Sequence, residues 1–109
     1  MFVVLTKARR PSFASADVSG GSAAEKIAAM ESYFSYCGRY ELQSLPGTAE
    51  MKVIHHILAC SFPNWAGTDQ VRFAEISLGY QGDRLLLRTQ PIFENGKLRI
   101  SHLIWQRLR

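Results

Sequence analysis

The three histidines of this chain are the side chains best suited to acid–base chemistry. They are His55, His56 and His102. A histidine has a pKa near neutrality, so it can act as a general acid or base when a cavity places it beside a substrate. His55 and His56 are adjacent in a stretch, Met51 to Cys60, with the composition of a strand. Their side chains therefore point to opposite faces, and at most one of them can enter an interior.

The choice between the two adjacent histidines depends on their neighbours of the same parity. His56 shares its face with Ile54 and Leu58, whereas His55 shares its face with Val53 and Ile57. Both faces are apolar, so the choice is close to even, and we predict that His56 is the inward member. The alternative for any one histidine is a strand residue bonded to a neighbour or to water.

One arginine stands in a mostly apolar pattern. Arg72 has the parity of Ala74, Ile76 and Leu78, and a guanidinium turned towards such a face needs an acidic side chain or an anionic ligand group. Glu75 points to the other face with Val71 and Phe73, and a carboxylate turned towards that face would likewise need a partner. We predict that Arg72 faces the interior.

Further candidates for contact with a ligand are aromatic and aliphatic. Trp65 and Trp105 offer apolar area and one N–H donor each. Tyr36 stands near the end of a predicted helix, where a phenol can donate a proton or cap the core. In the strand Arg84 to Thr89, alternation places Leu85, Leu87 and Thr89 inside. Core packing is the alternative for each of these side chains.

Other classes of site are absent from the sequence pattern. No carboxylate or cysteine stands at ligand spacing from the histidines, and Cys37 and Cys60 form no metal or disulfide pattern, so we predict no metal. No phosphate loop, nucleophile elbow or dinucleotide motif occurs, so no cofactor is predicted. The net charge of +4 is scattered along the chain to Arg109, which disfavours nucleic acid as a partner. With no secretion signal and no bilayer-length apolar run, we predict no membrane partner and a cytoplasmic location.

The length of 109 residues predicts one domain over residues 1–109. Ser22 and Glu25 form a capping box that begins a helix, with Ala23, Ile27, Met30 and Phe34 on its apolar core face and Gly38 as its end. Period-two patterns predict strands, which are Phe2 to Lys7, Arg39 to Leu42, Met51 to Cys60, Val71 to Leu78, Arg84 to Thr89 and Leu98 to Arg107. Pro91 to Lys97 is a predicted loop with a turn at Asn95-Gly96. The order predicts a mainly β fold, an antiparallel barrel with one α-helix.

Several stretches follow one another in an order that resembles the lipocalin-like domain family of small bacterial and fungal proteins, many of them associated with secondary metabolism. They are Tyr36-Cys37-Gly38-Arg39-Tyr40, Val53-Ile54-His55-His56, Phe62 to Arg72 with its Pro-Asn-Trp-Ala-Gly-Thr-Asp-Gln-Val-Arg core, Leu85 to Pro91 and His102 to Arg107. The resemblance implies a lipocalin-like barrel. Members usually carry about one or two more strands at the start, with a Gly-Thr-Trp motif. Either the gene lacks these strands or the start was placed downstream, and the short form, if real, leaves a gap in the barrel. An unpaired edge favours pairing with a second copy, and the outward residues Phe2, Val4 and Leu86 favour a subunit interface unless the helix covers them.

The resemblance implies binding of a small hydrophobic molecule, and we predict a cofactor-free isomerase or cyclase of natural-product biosynthesis. In that hypothesis His56, Arg72 and Tyr36 are catalytic. The ligand-binding residues would be Trp65, His55, Leu85, Leu87, His102 and Trp105. Two alternatives stay open, a non-catalytic carrier of the same kind of molecule and a homo-oligomeric interaction module. A homodimer is the predicted assembly.

Overall fold

The computed structural model describes residues 1–108, so Arg109 lies outside the described part. It contains one α-helix, α1 (Ala23–Glu31), and a short 3-10 helix (Pro63–Trp65). The strands are β1 (Phe2–Thr6), β2 (Tyr33–Ser44), β3 (Met51–Cys60), β4 (Asp69–Ser77), β5 (Arg84–Thr89), β6 (Ile92–Glu94), β7 (Lys97–Arg99) and β8 (His102–Gln106). The prediction of a mainly β, lipocalin-like fold with one α-helix is confirmed.

Six strands form one sheet in the order β1-β2-β3-β4-β5-β8, and β6 and β7 form a separate two-stranded sheet. The recorded strand pairs are antiparallel, as the short connections predict. No helix among residues 1–108 is long and apolar enough to cross a membrane. The chain divides into two compact units. Unit 1 is Met1–Gly38 with Ile57–Thr68, and unit 2 is Arg39–His56 with Asp69–Arg109.

The helix of unit 1 begins as predicted but ends early. The Ser22 hydroxyl accepts from the Glu25 backbone N–H at 3.2 Å, which is the expected cap. The helix ends at Glu31, and not at Gly38, because residues 33–37 pair with β1 from Thr6 to Phe2. Aromatic residues favour such a strand, and pairing overrides the helical spacing of Phe34.

The predicted core face of the helix is also wrong. Ile27 is 59% exposed and Met30 is 50% exposed, and α1 has no buried residue. Helical periodicity therefore located the helix but not the surface against which it packs.

Strand pairing in unit 2 defines two faces of the sheet. Val53 lies opposite Arg72, Ala74 opposite Leu87, and Leu85 opposite Trp105. Residues directly opposite each other in antiparallel strands share a face. We call the side with the following residues the His55 face: Val53, His55, Arg72, Ala74, Leu85, Leu87, Thr89, Leu103 and Trp105. The other side, the His56 face, carries Ile54, His56, Asp69, Phe73, Leu86, Arg88, His102 and Ile104.

The C-terminal part of unit 2 departs from the prediction in two respects. Asn95 and Gly96 have φ values of 51° and 72°, which confirms the predicted turn. The residues around that turn pair as β6 and β7, although Pro91 to Lys97 was predicted to be a loop. The predicted last strand is consequently two strands, β7 and β8. Between them, the Ser101 backbone N–H donates to the Thr89 hydroxyl at 2.9 Å.

Candidate functional site

The His55 face of unit 2 has a buried centre that is partly polar. His55 is only 5% exposed, and Arg72 and Thr89 are buried as well. The apolar members beside them, Val53 and Ala74, are equally buried. Around this centre stand four apolar side chains that keep part of their surface accessible: Leu85, Leu87, Leu103 and Trp105. The arrangement offers apolar contact area around a small polar core, which is typical of a small-molecule site.

Arg72 is buried, as the sequence predicts. It lies between Val53 of β3 and Thr89 of β5, and its Nη1 donates to the Val71 backbone oxygen at 2.9 Å. A guanidinium always carries its charge, so this face holds a permanent cation among apolar groups. Such a cation favours oxygen-rich or anionic groups of a bound molecule over ammonium groups.

His55 is held neutral by its surroundings. Burial lowers its pKa from 6.5 to about 4, and the positive charge of Arg72 acts in the same direction. At neutral pH the ring is therefore an uncharged donor and acceptor of hydrogen bonds.

Trp105 lies on the same face as Leu85 and Leu87, and its ligand-binding role stays a prediction. It stands directly opposite Leu85 and is half-buried. Its indole Nε1 is buried and has no hydrogen-bond partner within residues 1–108. The burial of the odd-numbered leucines of β5 also follows the predicted alternation.

The prediction that His56 is the inward histidine is wrong. His56 lies on the opposite face, with its Nδ1 at 2.7 Å from Asp69 Oδ1 and its Nε2 at 3.1 Å from Glu41 Oε2. The hydrogen bonds to Asp69 and Glu41 raise its pKa above 6.5, which favours an imidazolium that donates from both nitrogens. The cause is parity: Leu58, which shares the side of His56, is 69% exposed, whereas Ile57 is buried.

His102 is likewise displaced from the predicted site. It is exposed, lies opposite Arg88 and therefore belongs to the His56 face. His102 and Trp105 are three positions apart, so a regular strand cannot present both on one side. His102 and Trp105 therefore do not share a face, and the ligand-binding role of His102 stays a prediction.

Tyr36 and Trp65 belong to unit 1, where they pack in an aromatic cluster. Their ring centroids are 6.1 Å apart, and Phe34 lies 5.3 Å from Trp65 in an edge-to-face arrangement. Phe62 joins the same cluster at 6.4 Å from Trp65. Tyr36 is buried within β2, and not at the end of a helix as predicted. The contacts are those of core packing, and the predicted catalytic role of Tyr36 and ligand-binding role of Trp65 stay predictions.

The loop that carries Trp65 is shaped by its own backbone bonds. The Thr68 hydroxyl and backbone N–H both donate to the Trp65 carbonyl, at 2.8 and 3.1 Å. Gly67 has a φ of 78° and donates to the Ile57 carbonyl at 2.8 Å. A residue with a side chain is strained at such a φ, so the Ala-Gly-Thr sequence suits this bend after the 3-10 helix.

Sequence reasoning placed one residue of this face inside without giving it a role, and it missed the partners of His56. Thr89 is buried beside Arg72, and its parity with Leu85 and Leu87 already indicated that position. The partners of His56, which are Glu41 and Asp69, come from two other strands and carry no local signal. Within residues 1–108 no group of three or more His, Cys, Asp or Glu residues is placed to hold a metal ion. Cys37 and Cys60 are free thiols.

A surface depression in unit 2 lies beside the turn between β4 and β5. It is lined by residues 77–82 and Arg84. Its lining includes none of the buried polar side chains of the His55 face, and Tyr80 within it is fully exposed. The polar centre on the His55 face is therefore the stronger candidate site.

Comparison with known proteins supports one family. The model of the lipocalin-like domain family matches residues 1–108. A protein of Aspergillus oryzae (strain ATCC 42149 / RIB 40), named 4'-hydroxy-3'-methoxypropiophenone carrier protein ppsC, is 35% identical over 91 residues, which cover 81% of this chain and 78% of that protein. No solved structure matches the chain. The chain belongs to the lipocalin-like domain family.

Proposed function

We propose that this protein binds a small, largely apolar aromatic molecule on the His55 face and carries it unchanged. The observation that supports this most is the composition of that face, in which half-buried apolar side chains surround a buried polar centre. Leucine and indole groups can cover an aromatic ring, and the polar centre can orient one oxygen of the ligand. The named ligand of the Aspergillus relative, a substituted propiophenone, has this chemistry.

The acid–base properties of the histidines favour a carrier over an isomerase or cyclase. A general base works best when its pKa is near the operating pH. His55, with a pKa of about 4, is a weak base, and His56 already engages both ring nitrogens with carboxylates. Isomerase or cyclase activity stays a prediction, and so do the catalytic roles of His56, Arg72 and Tyr36.

Isothermal titration with 4'-hydroxy-3'-methoxypropiophenone tests the proposal. We expect saturable binding, with the ligand recovered chromatographically unchanged. Leu87→Trp adds bulk to the His55 face and should weaken binding at least about tenfold, whereas Leu86→Trp, on the other face, should preserve it. Circular dichroism of both variants controls for folding.

The outcomes separate the hypotheses. Absence of saturable binding to the wild-type protein, or equal loss in the two variants, contradicts a ligand site on the His55 face. Conversion of the ligand to a species with a new retention time contradicts the carrier and supports the isomerase or cyclase.

A homodimer is a second part of the proposal, supported by the His56 face. Leu86 lies opposite Ile104 and the two are 37% and 72% exposed. Ile104 belongs to β8, the last strand in the sheet order, and such a strand can pair with another copy. Light scattering should report a dimer that Ile104→Lys dissociates, whereas a wild-type monomer would contradict this part. The single-domain organisation and the cytoplasmic location stay predictions.

A further inference from the structure

The indole N–H of Trp105 is a buried donor without an acceptor among residues 1–108. Its Nε1 has no hydrogen-bond partner within the described residues, although the indole ring is only half-buried. A buried donor left unpaired costs about 1–3 kcal/mol, so proteins rarely keep one without a reason. Other buried polar groups of the same face are paired: Arg72 donates to a backbone carbonyl, and Thr89 accepts from Ser101.

The position of this donor fits the proposed ligand site. Trp105 lies opposite Leu85, and Leu103 precedes it by two positions on the same face. Residues directly opposite each other in antiparallel strands lie close enough for their side chains to touch, so the indole of Trp105 stands beside apolar groups that would cover a ligand ring. In such surroundings a new hydrogen bond gains strength because little water competes for it.

The chemistry of indole restricts what can pair with it. Indole Nε1–H donates and cannot accept, so the partner must provide a lone pair. The permanent charge of Arg72 on the same face disfavours an ammonium group. A carbonyl oxygen satisfies both conditions, whereas a hydrocarbon of the same shape has no lone pair to accept the hydrogen bond.

We propose that Trp105 determines specificity by donating its indole N–H to a carbonyl oxygen of the carried molecule, which is therefore an aryl ketone and not a plain aromatic hydrocarbon. The inference rests on the proposed function. It adds the ligand group that is recognised and the atom that recognises it.

A matched pair of probes tests this, namely propiophenone and n-propylbenzene, which differ in the ketone oxygen. Isothermal titration of both probes into the wild-type protein and Trp105→Phe gives a double-mutant cycle. We expect Trp105→Phe to weaken propiophenone binding about three- to tenfold, the range for one neutral hydrogen bond. Binding of n-propylbenzene should change less than about twofold, since phenylalanine keeps most of the apolar contact.

A second measurement needs no change at Trp105. The chain has two tryptophans, so Trp65→Phe leaves a single indole N–H signal in a proton–nitrogen correlation spectrum. Propiophenone should move this signal downfield, as hydrogen bonding does, and n-propylbenzene should not. If Trp65→Phe fails to fold, the two indole signals of the wild-type protein carry the same test, because only one of them should respond to the ketone.

Each outcome decides the inference. Binding of both probes with equal loss in Trp105→Phe, or an indole signal that responds to both alike, overturns the role of Trp105 while leaving the carrier intact. Binding of neither probe overturns the proposed function together with the inference.

Discussion

His55 and His56 are neighbours in β3, yet the two faces of unit 2 give them opposite properties. On its face, His55 is buried beside Arg72, and its pKa falls to about 4. On the other face, His56 is held between Asp69 and Glu41, and its pKa rises. One ring is held neutral in an apolar setting, whereas the other is stabilised as a cation at the surface.

The difference shows that strand pairing, and not residue type, sets the chemistry of a side chain in a sheet. Register places Asp69 opposite His56 and Gln70 opposite His55. A shift of one residue would exchange the two environments completely. The His55 face therefore carries a buried polar centre, and the His56 face carries charge pairs at the surface.

The largest expected effect is destabilisation by acid through His55. Its pKa is about 4 in the fold and 6.5 in its ordinary range, so the unfolded chain takes up the proton first as the pH falls. The contribution of His55 to stability is complete above pH 6.5 and declines between pH 6.5 and 4, by at most about 3 kcal/mol. Urea unfolding at a series of pH values measures this slope.

Two matched variants test whether the pH dependence of stability arises from the buried His55 ring. His55→Gln should flatten the pH dependence between these limits, whereas His56→Gln should not. His56, with its raised pKa, contributes stability below pH 6.5 that disappears as the pH rises through its folded pKa. A wild-type slope that persists in His55→Gln would contradict the burial of His55.

A pair of leucine truncations compares the two faces by packing. Leu87→Ala removes a half-buried group from the His55 face and should cost about 2 kcal/mol of unfolding free energy, below the range for fully buried leucines. Leu86→Ala on the other face should cost about 0.5 kcal/mol. Thermal or urea unfolding of both variants checks the difference, and equal costs would show that the faces are not distinct.

The contacts of His56 with the Asp69 and Glu41 carboxylates lead to a prediction about the pKa of His56. Asp69→Asn should lower the pKa of His56 towards 6.5, since the hydrogen bond to Asp69 is the largest cause of its shift. Glu41→Gln should lower it less. Proton NMR titration of the imidazole signals measures the pKa of His56 in both variants. An unchanged pKa in Asp69→Asn would contradict the hydrogen bond between His56 and Asp69.

The smallest expected effect concerns Arg88 on the His56 face. Its guanidinium lies 4.4 Å from the centre of the Phe73 ring and 3.3 Å from a Glu50 oxygen, with both charged side chains about one-third exposed. Arg88→Met should cost about 0.5–1 kcal/mol, and added salt should reduce that cost. Urea unfolding at low and high salt measures it, and a cost above about 2 kcal/mol would indicate a buried role that the structure does not show.

Much of the fold follows from local signals in the sequence. The capping box at Ser22, the turn at Asn95-Gly96 and the bounds of β3 and β5 all depend on residues near each other in the chain. The end of the helix does not follow from local signals, because pairing with β1 draws residues 33–37 into a strand. Long-range pairing competes with helix formation there, and the sequence alone does not show which element wins.

The residues of the candidate site also divide into those that the sequence pattern predicts and those that it does not. Alternation within β5 predicted Leu85, Leu87 and Thr89 correctly, and the apolar neighbours of Arg72 predicted its burial. His55 and His56 could not be distinguished, since both have apolar neighbours of the same parity and their decisive partners come from other strands. The sequence already assigns His102 and Trp105 to opposite faces, because the two are three positions apart in one strand.

The central claim is that a small aromatic molecule binds to the His55 face, and intermolecular NOEs test it most directly. The protein is methyl-labelled at leucine, isoleucine and valine and saturated with 4'-hydroxy-3'-methoxypropiophenone. We predict NOEs from the ligand ring to the methyl groups of Leu85, Leu87 and Leu103, with none to Leu86 or Ile104. NOEs confined to Leu86 and Ile104 would contradict the claim and place the ligand on the opposite face.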